Sequence, residues 1–107
     1  MKQLTNIIIL TVLTAIPGSV LASDVEAGKS IASSVCVGCH GPEGKSSNPM
    51  WPNLAGQQTA YLVNQMQAFR DGGRYDPLMA PMVKELTDQD MENIAAYFSQ
   101  LGKSADQ

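Results

Sequence analysis

Five consecutive residues, Cys36-Val37-Gly38-Cys39-His40, constrain this chain more than any other feature of its sequence. They contain its only two cysteines and its only histidine. Two thiols three residues apart on one helical turn project to the same side. Together with the histidine that follows, they form the C-x-x-C-H attachment signature for c-type haem. The thiols of Cys36 and Cys39 reach two vinyl groups of one porphyrin and form thioethers. His40 falls beneath the ring, where an imidazole nitrogen ligates iron. Gly38 keeps the turn lean where the porphyrin edge approaches.

Rival chemistries for the same residues fail on their surroundings. A thioredoxin-like C-x-x-C needs a βαβ context, and no strand pattern occurs in this chain. Structural zinc needs four ligands, whereas one histidine and two cysteines are available. A disulfide between Cys36 and Cys39 closes too small a loop to constrain the unfolded chain.

The chain begins with a basic Met1-Lys2, followed by an almost continuous apolar run from Ile7 to Ile16 and a Pro17-Gly18 break. Val20-Leu21-Ala22 then precedes Ser23. This is the layout of a secretory signal peptide over 1–22, cleaved after Ala22. The apolar run falls short of the ~20 residues that span a bilayer, so no stable membrane insertion is expected after cleavage. The mature domain, 23–107, has 85 residues. A domain of that size buries a modest share of its surface and often needs a cofactor or staple. With aromatics at only 6%, a large flat apolar cofactor supplies the missing core material. Six lysines and arginines face ten acidic residues in 23–107, a net charge of −4. Nucleic acid is excluded as a partner, because too little positive charge is present to neutralise phosphates.

The periodicity predicts an all-α domain of three main helices and long loops wrapped around one covalent haem. The first helix starts at Ser23 or Asp24, where Ser23-Asp24-Val25-Glu26 has the pattern of a capping box, and runs to His40, with Gly41-Pro42 as its stop. Gly41 to Gly56 reads as a loop. Trp51 and Leu54 sit in this polar stretch and need something to pack on. The second helix is predicted from about Gln57 to Asp71, stopped by Gly72-Gly73. A second loop covers Arg74 to Leu86, where Pro77 and Pro81 oppose a regular helix. The third helix is capped by Thr87, with Asp88 and Asp90 in its first turn. Its stripe of Met91, Ile94, Ala95, Phe98 and Leu101 is apolar, and Gly102 ends it. Asp71, Asp76, Glu85 and Asp88 read as a solvated face, with a docking surface as the alternative.

Iron also needs a sixth ligand. Met66 and Met91 fall on apolar helix faces and read as core. Met79 and Met82 flank Pro81 in the second loop, and either thioether would give the His/Met ligation that raises haem potential.

These residues resemble a class I c-type cytochrome, specifically the single-haem unit of bacterial periplasmic cytochromes c, including each half of the dihaem ones. The similarity covers nearly all of 23–107. Asp24 to Lys29, leading to Cys36, match the family's first helix, where Gly28 permits a close crossing with the last helix at Ile94 and Tyr97. Ala32 departs from the aromatic many relatives carry, which implies a looser crossing filled by Phe98 or Tyr97. Trp51 to Gln57 resemble the family's proline loop, which implies a hydrogen bond from His40 to the Pro52 carbonyl and fixes the histidine tautomer. The axial methionine in the family lies seven residues before the leucine preceding the last helix's cap. Counting back from Leu86 reaches Met79, although the proline that usually follows is displaced by one, to Pro81. Trp51, Tyr61 and Phe69 are expected to line the haem pocket, with Arg70, Arg74 and Gln57 near the propionates. The resemblance implies a periplasmic electron carrier, not an enzyme, whose haem c cycles between Fe(III) and Fe(II). Its partners would be redox proteins: a quinol–cytochrome c reductase, a terminal oxidase or a periplasmic reductase or dehydrogenase. The alternatives are a cytochrome subunit of a larger oxidoreductase complex, or a haem sensor or enzyme with a labile sixth ligand.

Overall fold

The computed structural model describes residues 2–13 and 21–102. Residues 2–13 are almost wholly exposed and form no regular element. Pro17, Gly18 and the end of the Ile7–Ile16 run lie outside the described residues. Among the described residues no helix is long and apolar enough to cross a membrane, and no strand occurs.

Helix α1 (Val25–Val35) starts where Asp24 turns extended, at φ −113° and ψ 105°, and accepts the Ala27 N–H on its carboxylate at 3.0 Å. The expected box from Ser23 to Glu26 is therefore replaced by a cap at Asp24. The reason is tertiary. The Asp24 N–H donates to Oδ1 of buried Asn93, at 2.9 Å, and this pins Asp24 as the last extended residue.

The expected continuous helix to His40 breaks at Cys36, and α2 (Val37–His40) resumes for four residues. The Cys36 carbonyl accepts N–H groups from both Cys39 and His40, at 3.3 and 3.0 Å. That shared bond tightens the turn carrying the two thiols. Gly41 then leaves the helix at φ 82° into a 3-10 turn over Pro42–Gly44.

Helix α3 (Thr59–Asp71) begins two residues after the expected Gln57. The Gln57 N–H instead donates to the Leu54 carbonyl at 3.1 Å and closes a turn. Gly72, left-handed at φ 88°, ends α3 as its composition predicts.

The segment read as a second loop contains a short helix, α4 (Met79–Val83). Pro81 is its third residue. The N–H groups of a helix's first turn have no intrahelical acceptor, so a proline there removes nothing. Helix α5 (Asp88–Gln100) has the reciprocal cap that α1 lacks: Thr87 Oγ1 accepts the Asp90 N–H at 3.0 Å, and Asp90 accepts the Thr87 N–H at 2.9 Å.

The close crossing of α1 and α5 organises the core. A Cβ on Gly28 would lie 2.0 Å from the Asn93 carbonyl oxygen and 2.9 Å from the Ile94 nitrogen. The two backbones thus touch where only hydrogen fits. Ala32 is fully buried, and the Tyr97 and Phe98 rings, 5.1 Å apart and inclined at 51°, are buried in the same cluster. These rings provide the aromatic bulk that α1 does not. Met66 and Met91 are buried, as their helix faces predict.

Arg70 ties α3 to α5. Its guanidinium reaches Asp71 and Asp88 at 2.8 Å each and donates to the Leu86 carbonyl at 3.1 Å. Two of the four carboxylates read as a solvated face are therefore paired internally.

Two predictions follow from this packing. Gly28→Ala should lower the unfolding free energy by about 3 kcal/mol, because neither backbone at the crossing can yield. A urea midpoint unchanged from the parent would contradict the close crossing. Hydrogen bonding from Arg70 holds the Asp71 carboxyl below its usual range. A group with a lowered folded pKa stabilises fully above the ordinary aspartate value of ~3.9 and loses that contribution as pH falls through the folded value. The stability gap between the parent and Asp71→Asn should accordingly be present at neutral pH and shrink in acid. A gap that widens in acid would refute the pairing.

Candidate functional site

The expected site residues converge on one cavity of about 550 Å³, within the ~300–1,000 Å³ of typical cofactor pockets. Cys36, Cys39 and His40 contribute from the broken first helix, and Trp51 and Pro52 from the loop. Tyr61 and Phe69 enter from α3, and Met79 and Met82 from α4. Leu62, Met66, Val83, Leu86, Ile94 and Phe98 complete an apolar lining.

His40 is 92% buried, with 8% of its surface exposed. Its Nδ1 lies 2.8 Å from the Pro52 carbonyl oxygen. A carbonyl only accepts, so Nδ1 carries the proton and donates. In the neutral ring Nε2 then keeps its lone pair, the form a metal ligand needs. Pro52 is placed by a chain of backbone bonds. The Gly44 carbonyl accepts the Leu54 and Ala55 N–H groups at 2.8 and 3.1 Å, and the Gly56 N–H donates to the Phe98 carbonyl at 2.9 Å. The loop holding the histidine is thereby fastened to α5.

Burial pushes the Cys36 thiol up to about 11, which keeps it protonated at neutral pH. Cys39 is exposed. Trp51, Tyr61 and Phe69 line the cavity as expected, so the loop tryptophan packs on the site.

Of the cations expected near the propionates, only Arg74 lines the cavity. Its guanidinium stacks 4.5 Å over Phe69 and donates to Gln65 Oε1 at 2.6 Å. Gln57 lines the cavity as well. Arg70 does not, because Asp71 and Asp88 hold it elsewhere.

Met79 is partly buried and packs against the core, while Met82 is 47% exposed. Sequence reasoning missed the role of Asp76. Its Oδ1 accepts the N–H groups of Leu78 and Met79 at 2.8 and 3.0 Å. An Asp before a Pro-containing apolar stretch is a cap signal, and it was masked by reading the segment as loop.

The profile of the cytochrome c family matches residues 25–102. The chain belongs to the cytochrome c family. It is 43% identical over 81 residues to cytochrome c-554(548) of Halomonas halodenitrificans, covering 73% of this chain and 96% of that one. It is 40% identical over 98 residues to cytochrome c4 of Pseudomonas aeruginosa, covering 92% of this chain and 47% of the relative. The chain thus spans about half the length of that cytochrome c4. The solved structure of cytochrome c4 from Acidithiobacillus ferrooxidans superposes with a TM-score of 0.67 at 33% identity, over 79% of this chain and 53% of that one. This cytochrome c has the family's fold and carries covalent haem c. The cavity fits that group: it joins an apolar lining to two thiols, a buried imidazole and a thioether on its walls.

The loop fastening yields a test. Gly44 has φ 73°, and an added Cβ would lie 2.8 Å from the Ala55 nitrogen and 2.9 Å from the Phe98 ring. Gly44→Ala should destabilise the cytochrome by about 2 kcal/mol and speed exchange of the His40 Nδ1 proton in NMR spectra. Unaltered proton exchange would mean that the loop does not hold Pro52.

Proposed function

We propose that this cytochrome c is a periplasmic single-haem electron carrier, with haem attached through Cys36 and Cys39 and iron held by His40 and Met79. The observation that carries the proposal is the buried His40, its Nδ1 proton committed to Pro52, on one cavity wall with two thiols while Met79 lines the same space. The haem supplies one reversible electron at iron. The residues around it set how readily that electron moves. The Pro52 carbonyl draws on the Nδ1–H and makes His40 a stronger donor. The Met79 thioether, holding the iron opposite His40's wall, would favour the reduced state. The apolar lining excludes water and raises the cost of net charge at the site. Arg74, the only lysine or arginine on the cavity among the described residues, is stacked on Phe69 and would neutralise a propionate there.

With His40 and Met79 both holding the iron, no position would be left for a substrate, and the domain by itself would act as a carrier and not as an enzyme. Its donors and acceptors are other redox proteins: a quinol–cytochrome c reductase, a terminal oxidase or a periplasmic reductase or dehydrogenase. Export by a leader over 1–22, cleaved after Ala22, suits haem attachment outside the cytoplasm. Cleavage there leaves the Asp24–Asn93 bond intact.

Carbon monoxide tests the ligation. The reduced parent and Met82→Ala should keep a six-coordinate spectrum under carbon monoxide, whereas Met79→Ala should shift and lose potential. If Met82→Ala shifts and Met79→Ala does not, Met82 is the ligand. A shift in the parent itself would replace the carrier by a sensor or enzyme with an open site.

A further inference from the structure

Helix α4 presents two chemically identical candidate ligands, and something must choose between them. Met79 and Met82 lie three residues apart on five residues of helix, and both line the cavity. Residues at i and i+3 share a helix face. A helix this short has no intrinsic stability, since isolated helices below ~12 residues are marginal in water. The rotational setting of α4 is therefore decided at its ends.

At the C-terminal end the anchor is generic: Val83 is buried in the core, and the Leu86 N–H donates to the Val83 carbonyl at 3.0 Å. At the N-terminal end it is specific. Asp76 takes three N–H groups by itself. Its Oδ1 accepts Leu78 N–H at 2.8 Å and Met79 N–H at 3.0 Å, and its carbonyl accepts Ala80 N–H at 3.0 Å. One of the three is the amide of Met79. The residue carrying the ligand is thus fixed at its own backbone, whereas Met82 is held only through the helix.

We propose that Asp76 is the positioning residue that sets the rotation of α4 and thereby selects Met79 over Met82 as the iron ligand. This rests on the reading of Met79 as the axial ligand. The requirement is a side-chain acceptor three residues before Met79, and its charge is secondary. Without that acceptor α4 samples other rotations, Met79 leaves the iron more often, and Met82 competes for the position.

The test uses the haem-loaded protein and imidazole as the probe of sixth-site availability in the oxidised state. Loss of a helix cap corresponds to about a fivefold change in an equilibrium. Asp76→Ala should therefore bind imidazole about fivefold more tightly than the parent. Its reduced form, labelled with ¹³C-methyl methionine, should show two ligated methyl resonances, and one of them should disappear in Asp76→Ala/Met82→Ala. Asp76→Asn and Asp76→Ser keep an acceptor and should stay within about twofold of the parent. They also carry the test should the alanine variant fail to fold, because both would then have to fold with parental affinity. Parental imidazole affinity in Asp76→Ala would overturn the proposal, even if that variant were less stable. Asparagine and serine variants as impaired as alanine would overturn it as well. Failure of the underlying reading shows separately: Met79→Ala in the parent background would then keep its ligated methyl resonance.

Discussion

At the crossing of α1 and α5, two backbones approach so closely that hydrogen is the largest substituent Gly28 can carry. This contact brings the N-terminus of the domain, the cysteine-bearing turn and the last helix into one unit. Asn93 shows how much is routed through it. Its carbonyl faces Gly28, and its side chain accepts the Asp24 N–H that starts α1. Five residues further along, the Phe98 ring abuts Gly44 and its carbonyl accepts the Gly56 N–H. The same helix thus positions both the element carrying His40 and the loop that fixes its proton. Burial of three large side chains on α5, each worth ~1.5–3 kcal/mol, outweighs any single cap of about 1 kcal/mol. The site inherits its rigidity from that packing.

Much of this was legible in the sequence because its causes are local. The pentad fixes which side chains meet the cofactor. The stripe on α5 and the glycine after α3 follow from helical periodicity and left-handed backbone freedom. The readings that went astray depended on residues far away in the chain. Ser23 to Glu26 has the form of a capping box, yet a bond from the Asp24 N–H to Asn93 makes Asp24, one of the two starts expected, the cap in place of that box. Arg70 had the chemistry to meet a propionate, but Asp88, close in space across α3 and α5, claimed it. The two prolines of the second loop were weighed as helix breakers without regard to position, and Pro81 at a third helical residue breaks nothing. The bond from His40 to Pro52 came only from family resemblance, since no sequence pattern encodes a contact between residues twelve positions apart.

The site is built asymmetrically. On the histidine side, the broken helix, the 3-10 turn and the loop from Gly44 to Gly56 interlock through backbone bonds to one another and to α5. On the side of Met79 and Met82, a five-residue helix is held by a carboxylate before it and by a buried valine at its end. The difference suits the two proposed ligands. An imidazole must hold one ring orientation and one tautomer, while a flexible thioether tolerates a lighter support.

The acceptor for the histidine proton is a main-chain carbonyl. Substituting residue 52 changes the ring that stiffens the loop but leaves the oxygen in place. With His40 as the proposed iron ligand, its donor strength would be shielded from most side-chain variation, and sequence drift in this loop could proceed without retuning the iron. Differences in potential among related chains should arise elsewhere, at the lining, at the charged rim and at the methionine.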